Sequence, residues 1–173
     1  MDYFEILEKY KYLKKEDIAD IPDNSDNMLE HAVMSWMWNK FNEDWSDQYV
    51  VISTLPKPCQ NVYSCRTVTD EINNGGLNQL FYNYWSTGQF AEMSIDGFKA
   101  LGSKKLSKVM AKAVKIFWTN RRVLEAYKDG TMESFMESYE EKFFEELDDI
   151  FFAEIDSINI SKYVRLHASC FGD

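Results

Sequence analysis

Apolar residues recur every three or four positions along most of this chain, which is the spacing of one face of an α-helix. Residues 28–41 and 103–118 carry the clearest apolar stripes, and we interpret the first as a central buried helix. The β-branched segment 48–55 could form a strand, but no second clear strand lies nearby to pair with it. The pattern predicts an all-α fold, a single compact domain over residues 1–173 with about seven to nine helices.

Turn-forming residues mark where these helices should end. Residues 20–27 combine Pro, Asn, Ser and Asp and form the clearest predicted loop, after which a helix should open near Asp26. The Asn-Asn-Gly-Gly run at 73–76 predicts a strong helix stop. Because glycine tolerates a left-handed backbone, we expect a positive φ at Gly75 or Gly76.

Shorter helices are expected between this stop and the last third of the chain. An aromatic helix should follow over 77–85, then a short piece near 89–93 and another that is capped by Ser94 and ends at Gly102. Ser103 is a predicted N-cap for a helix that ends near Trp118, and one or two further turns are expected over 121–128.

Charge is distributed unevenly along the chain. Residues 96–128 contain nine basic and two acidic residues, a net charge of +7. Residues 131–156 contain ten acidic residues against Lys142 alone, a net charge of −9. Thr131 is expected to cap the longest helix, over about residues 131–153, with Met132, Phe135, Met136, Tyr139, Phe143, Leu147 and Ile150 on its buried face. The candidate partner-binding face opposite comprises Glu133, Glu137, Glu140, Glu141, Glu145, Asp148 and Asp149.

The regular spacing of these acids suggests two interpretations. In one continuous helix Glu133, Glu137, Glu141 and Glu145 would form a row with a rise of about 6 Å per step, similar to the phosphate spacing along a nucleic-acid strand. The row could instead be a solvated face that keeps an aromatic-rich protein soluble. The lysines of the basic segment, at 104, 108, 112 and 115, could likewise pair with acidic helices.

Overall composition restricts the classes of partner. The net charge is −10 with a pI of about 4.7, so direct binding of nucleic acid or membrane is disfavoured and a basic partner is favoured. A hydrophobic content of 45% is too high for a disordered acidic chain. Three cysteines, an odd number, suggest free thiols, and we see neither a signal peptide nor an apolar run of membrane-spanning length. We therefore expect a cytoplasmic protein.

Known catalytic and metal-binding patterns are not found in the sequence. Its two histidines, His31 and His167, are too few for a typical histidine-based zinc site. The spacing of Cys59 and Cys65 matches neither a CxxC redox motif nor the common zinc motifs. We find no nucleophile elbow, phosphate loop or dinucleotide-binding fingerprint. The sequence predicts a non-enzymatic protein without a metal or cofactor.

One motif resembles the signature of a known family. An Asn-Gly-Gly turn is followed by a short helix of the form apolar-polar-Gln-aromatic-aromatic-Asn and, after Trp85, Ser86 and Thr87, by a glycine. In this pattern the chain resembles a bacterial family of DNA-mimic proteins, of the nineteen-kilodalton type, whose domain was formerly one of unknown function. The likeness covers about residues 50–124. The matching positions are Asn74, Gly75, Gly76, Leu77, Gln79, Phe81, Tyr82, Asn83 and Gly88.

The resemblance implies an all-helical fold and a function in binding. The characterised member of the family imitates the DNA backbone with surface carboxylates and occupies DNA-binding proteins such as a transcription factor. The motif itself carries no catalytic group, and we interpret it as structural, with Gln79 or Asn83 satisfying backbone groups at the turn. The leading hypothesis is a non-enzymatic DNA mimic that binds a basic protein. The alternative is an interaction or immunity-type module that neutralises its partner by shape, and a third hypothesis is an enzyme with an unrecognised site. The oligomeric state stays open, a homodimer included.

Overall fold

The all-α prediction is confirmed by the computed structural model of the protein, which describes residues 3–22, 26–83 and 88–173. These residues contain ten α-helices, eight of them seven residues or longer, and no strand. The β-branched segment at 48–55 is helical, as favoured from the sequence. The centre of the loop predicted at 20–27, and Trp85, Ser86 and Thr87 of the motif, lie outside the described residues.

The helices follow one another along the chain with short connections. They are α1 (Tyr3–Lys9), α2 (Lys15–Asp20), α3 (Asp26–Trp38), α4 (Gln48–Thr54), α5 (Lys57–Tyr82), α6 (Phe90–Ala100), α7 (Lys104–Ala126), α8 (Met132–Glu137), α9 (Glu145–Glu154) and α10 (Ile160–Leu166). Short 3₁₀ segments lie at Ser138–Glu141, Ile155–Ser157 and Ala168–Cys170. Within the described ranges, no helix combines the length and the apolar character that crossing a membrane requires.

Contacts group the chain into two compact units. The first comprises Met1–Tyr63 and Asn159–Asp173, and the second comprises Ser64–Ile158, so the division falls within α5. In the first unit α3 is the central helix and packs against α1 and α10. Its Leu29, Val33 and Met37 side chains are fully buried, as the sequence pattern predicted. That the whole chain forms one domain stays a prediction.

The second unit is built on the pairing of α6 with α7, and α9 packs on α7. The Ser103 side chain accepts a hydrogen bond from the Leu106 N–H at 3.1 Å, which confirms the predicted N-cap of α7. The predicted division of residues 89–102 is wrong, because Ser94 lies buried inside one continuous α6 and donates to the Ala91 carbonyl. Likewise α7 does not end near Trp118 but continues to Ala126.

The Gly-Gly pair interrupts α5 where the sequence predicts a stop. Gly75 has φ −174° and ψ 34°, and Gly76 has φ 68° and ψ −173°. The positive φ expected at one of the two glycines is therefore confirmed at Gly76. This combination of φ and ψ lies in a region that is essentially restricted to glycine. The residues after Gly76 consequently begin a new helical segment with its own unsatisfied N–H groups.

The single long acidic helix predicted over residues 131–153 is wrong. The segment forms α8, the 3₁₀ turn Ser138–Glu141 and α9, and Lys142 between them has a left-handed φ of 51°. Core packing explains the break. In an uninterrupted helix Phe135 and Phe144, nine residues apart, would point about half a turn away from each other. The break allows Phe144 to be buried against the core while Phe135 packs on Tyr82.

The buried face of this segment also differs from the predicted one. Met132 and Met136, expected in the core, are 72% and 60% exposed. Phe144 and Phe151, which were not on the predicted stripe, are buried instead, whereas Leu147 is buried as predicted. A single apolar face predicted across the break places the wrong residues in the core, because α8 and α9 are oriented differently towards it.

Candidate partner-binding surface

The predicted acidic face lies entirely in the second unit, on three consecutive elements. Glu133 and Glu137 are exposed one turn apart on α8, Glu140 is exposed on the 3₁₀ turn, and Glu145 and Asp149 are exposed on α9. The row expected to step from Glu133 through Glu145 along one axis is therefore not formed. We name the exposed carboxylates of this segment the acidic surface; it comprises Glu133, Glu137, Glu140, Glu145, Glu146 and Asp149.

Most members of the acidic surface are available to a partner. Of the acidic-surface residues, only Glu145 forms an ion pair within the described chain. Its contact with Lys142 is 3.8 Å long, and both side chains are about two-thirds exposed. An ion pair that long and that exposed contributes little stability. The remaining carboxylates can therefore interact with external cations without breaking internal bonds.

Two residues assigned to this face from the sequence have internal partners instead. Glu141 accepts a 2.7 Å hydrogen bond from the Tyr127 hydroxyl. Asp148 accepts a 2.7 Å hydrogen bond from the Leu77 N–H and is only partly exposed. Burial raises the pKa of Asp148 to about 6; the Leu77 hydrogen bond lowers this pKa and the charge of Asp149 raises it. Both carboxylates help to hold the fold.

The Asp148 contact explains the Asn-Gly-Gly motif. Gly76 ends the first part of α5, so the Leu77 N–H has no partner within the helix, and the Asp148 carboxylate caps it. On the other side of the break the Tyr139 hydroxyl donates to the Gly75 carbonyl at 2.7 Å. The acidic segment thus satisfies the backbone groups that the glycine break exposes.

The Asn83 side-chain amide donates to the Glu71 carboxylate at 3.0 Å. That Gln79 or Asn83 satisfies a backbone group of the turn stays a prediction. The sequence could not identify Asp148 as the partner of the Leu77 N–H, because the two residues are 71 positions apart.

The aromatic residues of the motif form the core beneath the acidic segment. Phe81 is buried and stacks on Phe117 at 4.7 Å and on Phe144 at 5.1 Å between ring centroids. Tyr82 meets Phe135 edge to face at 4.6 Å. Such contacts contribute beyond the area they bury. Phe81 therefore packs in the core, and Tyr82 packs at its margin against Phe135.

Two open clefts border the acidic segment. One, of about 220 Å³, is lined by Asn78, Tyr139, Lys142, Phe143, Phe144, Glu145 and Asp148. The other, of about 250 Å³, is lined by Gln79, Tyr82, Asn83, Gly130, Thr131, Met132 and Phe135. Both are small for a drug-sized ligand. In the described chain no three His, Cys, Asp or Glu side chains are grouped so as to hold a metal ion.

The basic helix α7 presents a separate charged face. Lys105 pairs with Glu154 at 3.0 Å, and Arg121 pairs with Glu125 on its own helix. Four further lysines of α7 are exposed and form no ion pair with any carboxylate in the described chain; they are Lys104, Lys108, Lys112 and Lys115. Pairing with acidic helices therefore does not explain their presence. The dipolar charge distribution read from the sequence is thus retained on the surface of this unit.

Comparison with known proteins agrees with the resemblance carried by the motif. A family model described as DMP19-like protein, where DMP19 denotes DNA mimic protein 19, matches residues 53–167. The matched region begins in α4 and includes the motif, the basic helix and the whole acidic segment. No curated protein and no solved structure matches the chain significantly.

Proposed function

Since the chain belongs to the DMP19-like family, we propose that it acts as a DNA mimic: a protein that binds, without catalysis, the cationic DNA-binding surface of a basic protein such as a transcription factor. The acidic surface would take the place of the phosphates. Binding would then exclude duplex DNA, because both ligands offer negative charge to the same groove.

The observation that carries this proposal is the concentration of exposed carboxylates on α8, the 3₁₀ turn and α9. Residues 131–156 have a net charge of −9, and most of their exposed acids have no partner among the described residues. Maintaining like charges one helical turn apart, as in Glu133 and Glu137, costs a few tenths of a kcal/mol per pair. A surface that binds cations would offset this repulsion when its partner is bound.

The break at Lys142 also supports the proposal. It distributes the acids over two helices and a turn, whereas one uninterrupted helix would place its four-residue repeat along a single line. Duplex DNA presents phosphates on two strands rather than one. Carboxylates carried by more than one element are a better match to the groove of a protein that holds a duplex than a single line of charges.

The test is displacement of DNA. Transcription factors of the source organism, each bound to a fluorescent operator duplex, are titrated with the protein, and release of the duplex is followed by anisotropy. We expect release to weaken steeply as salt concentration rises, because screening weakens attraction between exposed charges. The variant E133Q/E137Q/E140Q should lose most of the activity, since it removes three charges while preserving side-chain size and helix propensity.

A matched control makes the result specific. E8Q/E16Q/E43Q removes the same number of exposed charges from the first unit and should leave displacement close to that of the unmodified protein. Equal loss in both variants would mean that total charge alone matters. If the protein binds a factor that keeps its duplex, the DNA-mimic proposal fails and the shape-based interaction module becomes the better explanation.

A further inference from the structure

An apolar pair lies inside the acidic surface. Met132 and Met136 are one turn apart on α8 and therefore project from the same side of the helix. They are 72% and 60% exposed, and each is followed directly by an exposed glutamate, Glu133 or Glu137. Tyr139, in the turn that follows, is a further exposed large side chain. Imitating phosphates requires no apolar side chains, so the pair calls for a separate explanation.

The surroundings hold this pair in a defined position. Next to Met132 in the 250 Å³ cleft, the Phe135 ring packs edge to face on Tyr82 at 4.6 Å and on Tyr139 at 5.2 Å. Thr131 caps the start of α8 by accepting from the Ser134 N–H at 3.1 Å. The Ser134 hydroxyl in turn donates to the Tyr127 carbonyl at 2.6 Å. Because α8 is fixed by these contacts, its backbone holds the two flexible methionine side chains next to each other.

The chemistry around the pair specifies its occupant. Carboxylates flank the methionines, so a side chain that covers them must be apolar and must come from an element that carries cations. Base-reading elements of DNA-binding proteins have this composition, because their Lys and Arg contact phosphates while apolar side chains contact the thymine methyl group in the major groove. Methionine suits such a contact, since its flexible thioether adapts to different partners.

We infer that Met132 and Met136 form the apolar contact for a base-reading element of the partner, a basic helix or loop with apolar side chains among its cations. The inference rests on the proposed function and extends it, because the surface would then imitate a groove edge as well as the phosphates. The 250 Å³ cleft beside Met132 gives room for one apolar side chain of that element.

Two synthetic helical peptides test the inference. Both carry the same number of Lys and Arg residues; one has two leucines, four positions apart, on its cationic face, and the other has serines there. We expect the unmodified protein to bind the leucine peptide about tenfold more tightly. In M132Q/M136Q this preference should fall to about twofold or less, with an unchanged dependence of binding on salt.

The control variant is L166Q, which changes an apolar side chain of matching exposure, 73%, on α10. It should keep the full preference for the leucine peptide. Circular dichroism of all variants checks that helix content is retained, as expected for exposed positions.

Several outcomes would overturn the inference. They are equal binding of the two peptides by the unmodified protein, no binding of either, or a preference that survives in M132Q/M136Q. Sedimentation can give a further contradicting outcome. If the protein is a dimer that dissociates in M132Q/M136Q, the two methionines contact a second copy of this chain instead. Displacement of duplex DNA by the acidic surface is measured separately, so a protein that displaces DNA but shows no methionine-dependent preference refutes the inference and keeps the proposed function.

Discussion

The glycine break in α5 gives the sharpest test of the fold. Replacing Gly76 by alanine places a Cβ atom on a backbone with φ 68° and ψ −173°, a conformation that side-chain-bearing residues rarely adopt. The same Cβ would lie 2.8 Å from a carboxylate oxygen of Asp148, the group that caps the Leu77 N–H. The substitution therefore combines backbone strain with displacement of a cap.

The magnitude follows from these two effects. Backbone strain of this kind costs about 1–3 kcal/mol. Weakening the hydrogen bond between the Leu77 N–H and the Asp148 carboxylate adds about 1 kcal/mol, because water partly compensates for the lost bond. We expect Gly76→Ala to destabilise the protein by about 2–4 kcal/mol, which for a chain of this size lowers the melting temperature by roughly 5–15 °C.

Thermal melting followed by circular dichroism measures the effect, and Gly130→Ala is the matched control. Gly130 also has a positive φ, 86°, but a Cβ there would meet nothing within 4 Å, so its variant reports strain alone. We expect Gly130→Ala to cost about 1–2 kcal/mol. If Gly76→Ala costs no more than this control, the Asp148 contact is not what fixes the break. If the Gly76→Ala variant melts like the unmodified protein but no longer displaces DNA, the motif is functional and its structural interpretation is refuted.

Other predictions concern single side chains. The pKa of Asp148 is raised from an ordinary 3.8 to about 6, so its contribution to stability is fully present below pH 4 and is lost as the pH rises to about 6. D148N should flatten this part of the pH–stability profile and melt at pH 7 no lower than the parent, because the amide oxygen still accepts from Leu77; a clearly lower melting temperature would contradict the argument. Ser103→Ala should cost about 1 kcal/mol in chemical denaturation by removing the N-cap of α7, and an unchanged midpoint would refute that role. Burial raises the pKa of Cys59 to about 12 and also raises that of Cys65, so neither thiol should react with iodoacetamide in the folded protein, as mass spectrometry can check.

Features that depend only on neighbouring residues could be predicted from the sequence. The all-α class follows from the apolar spacing, and the caps at Ser103 and Thr131 follow from side chains that bond to backbone N–H groups three residues ahead. The break at Gly75 and Gly76 follows from the backbone freedom of glycine, which needs no distant partner. The net charge and the position of the acidic segment are likewise properties of composition, and so they could be read without a structure.

The shape of that acidic segment, and the choice of which of its residues face outward, depend on contacts with distant parts of the chain. Local propensity favours one continuous helix there, but burial of Phe144 against Phe81 requires a change of direction that no nearby residue encodes. The same packing places Asp148 where its carboxylate accepts from the Leu77 N–H, 71 residues earlier in the chain. It also leaves Met132 and Met136 exposed. Contacts between segments far apart in sequence depend on the shape of the whole core, which a periodic pattern does not specify.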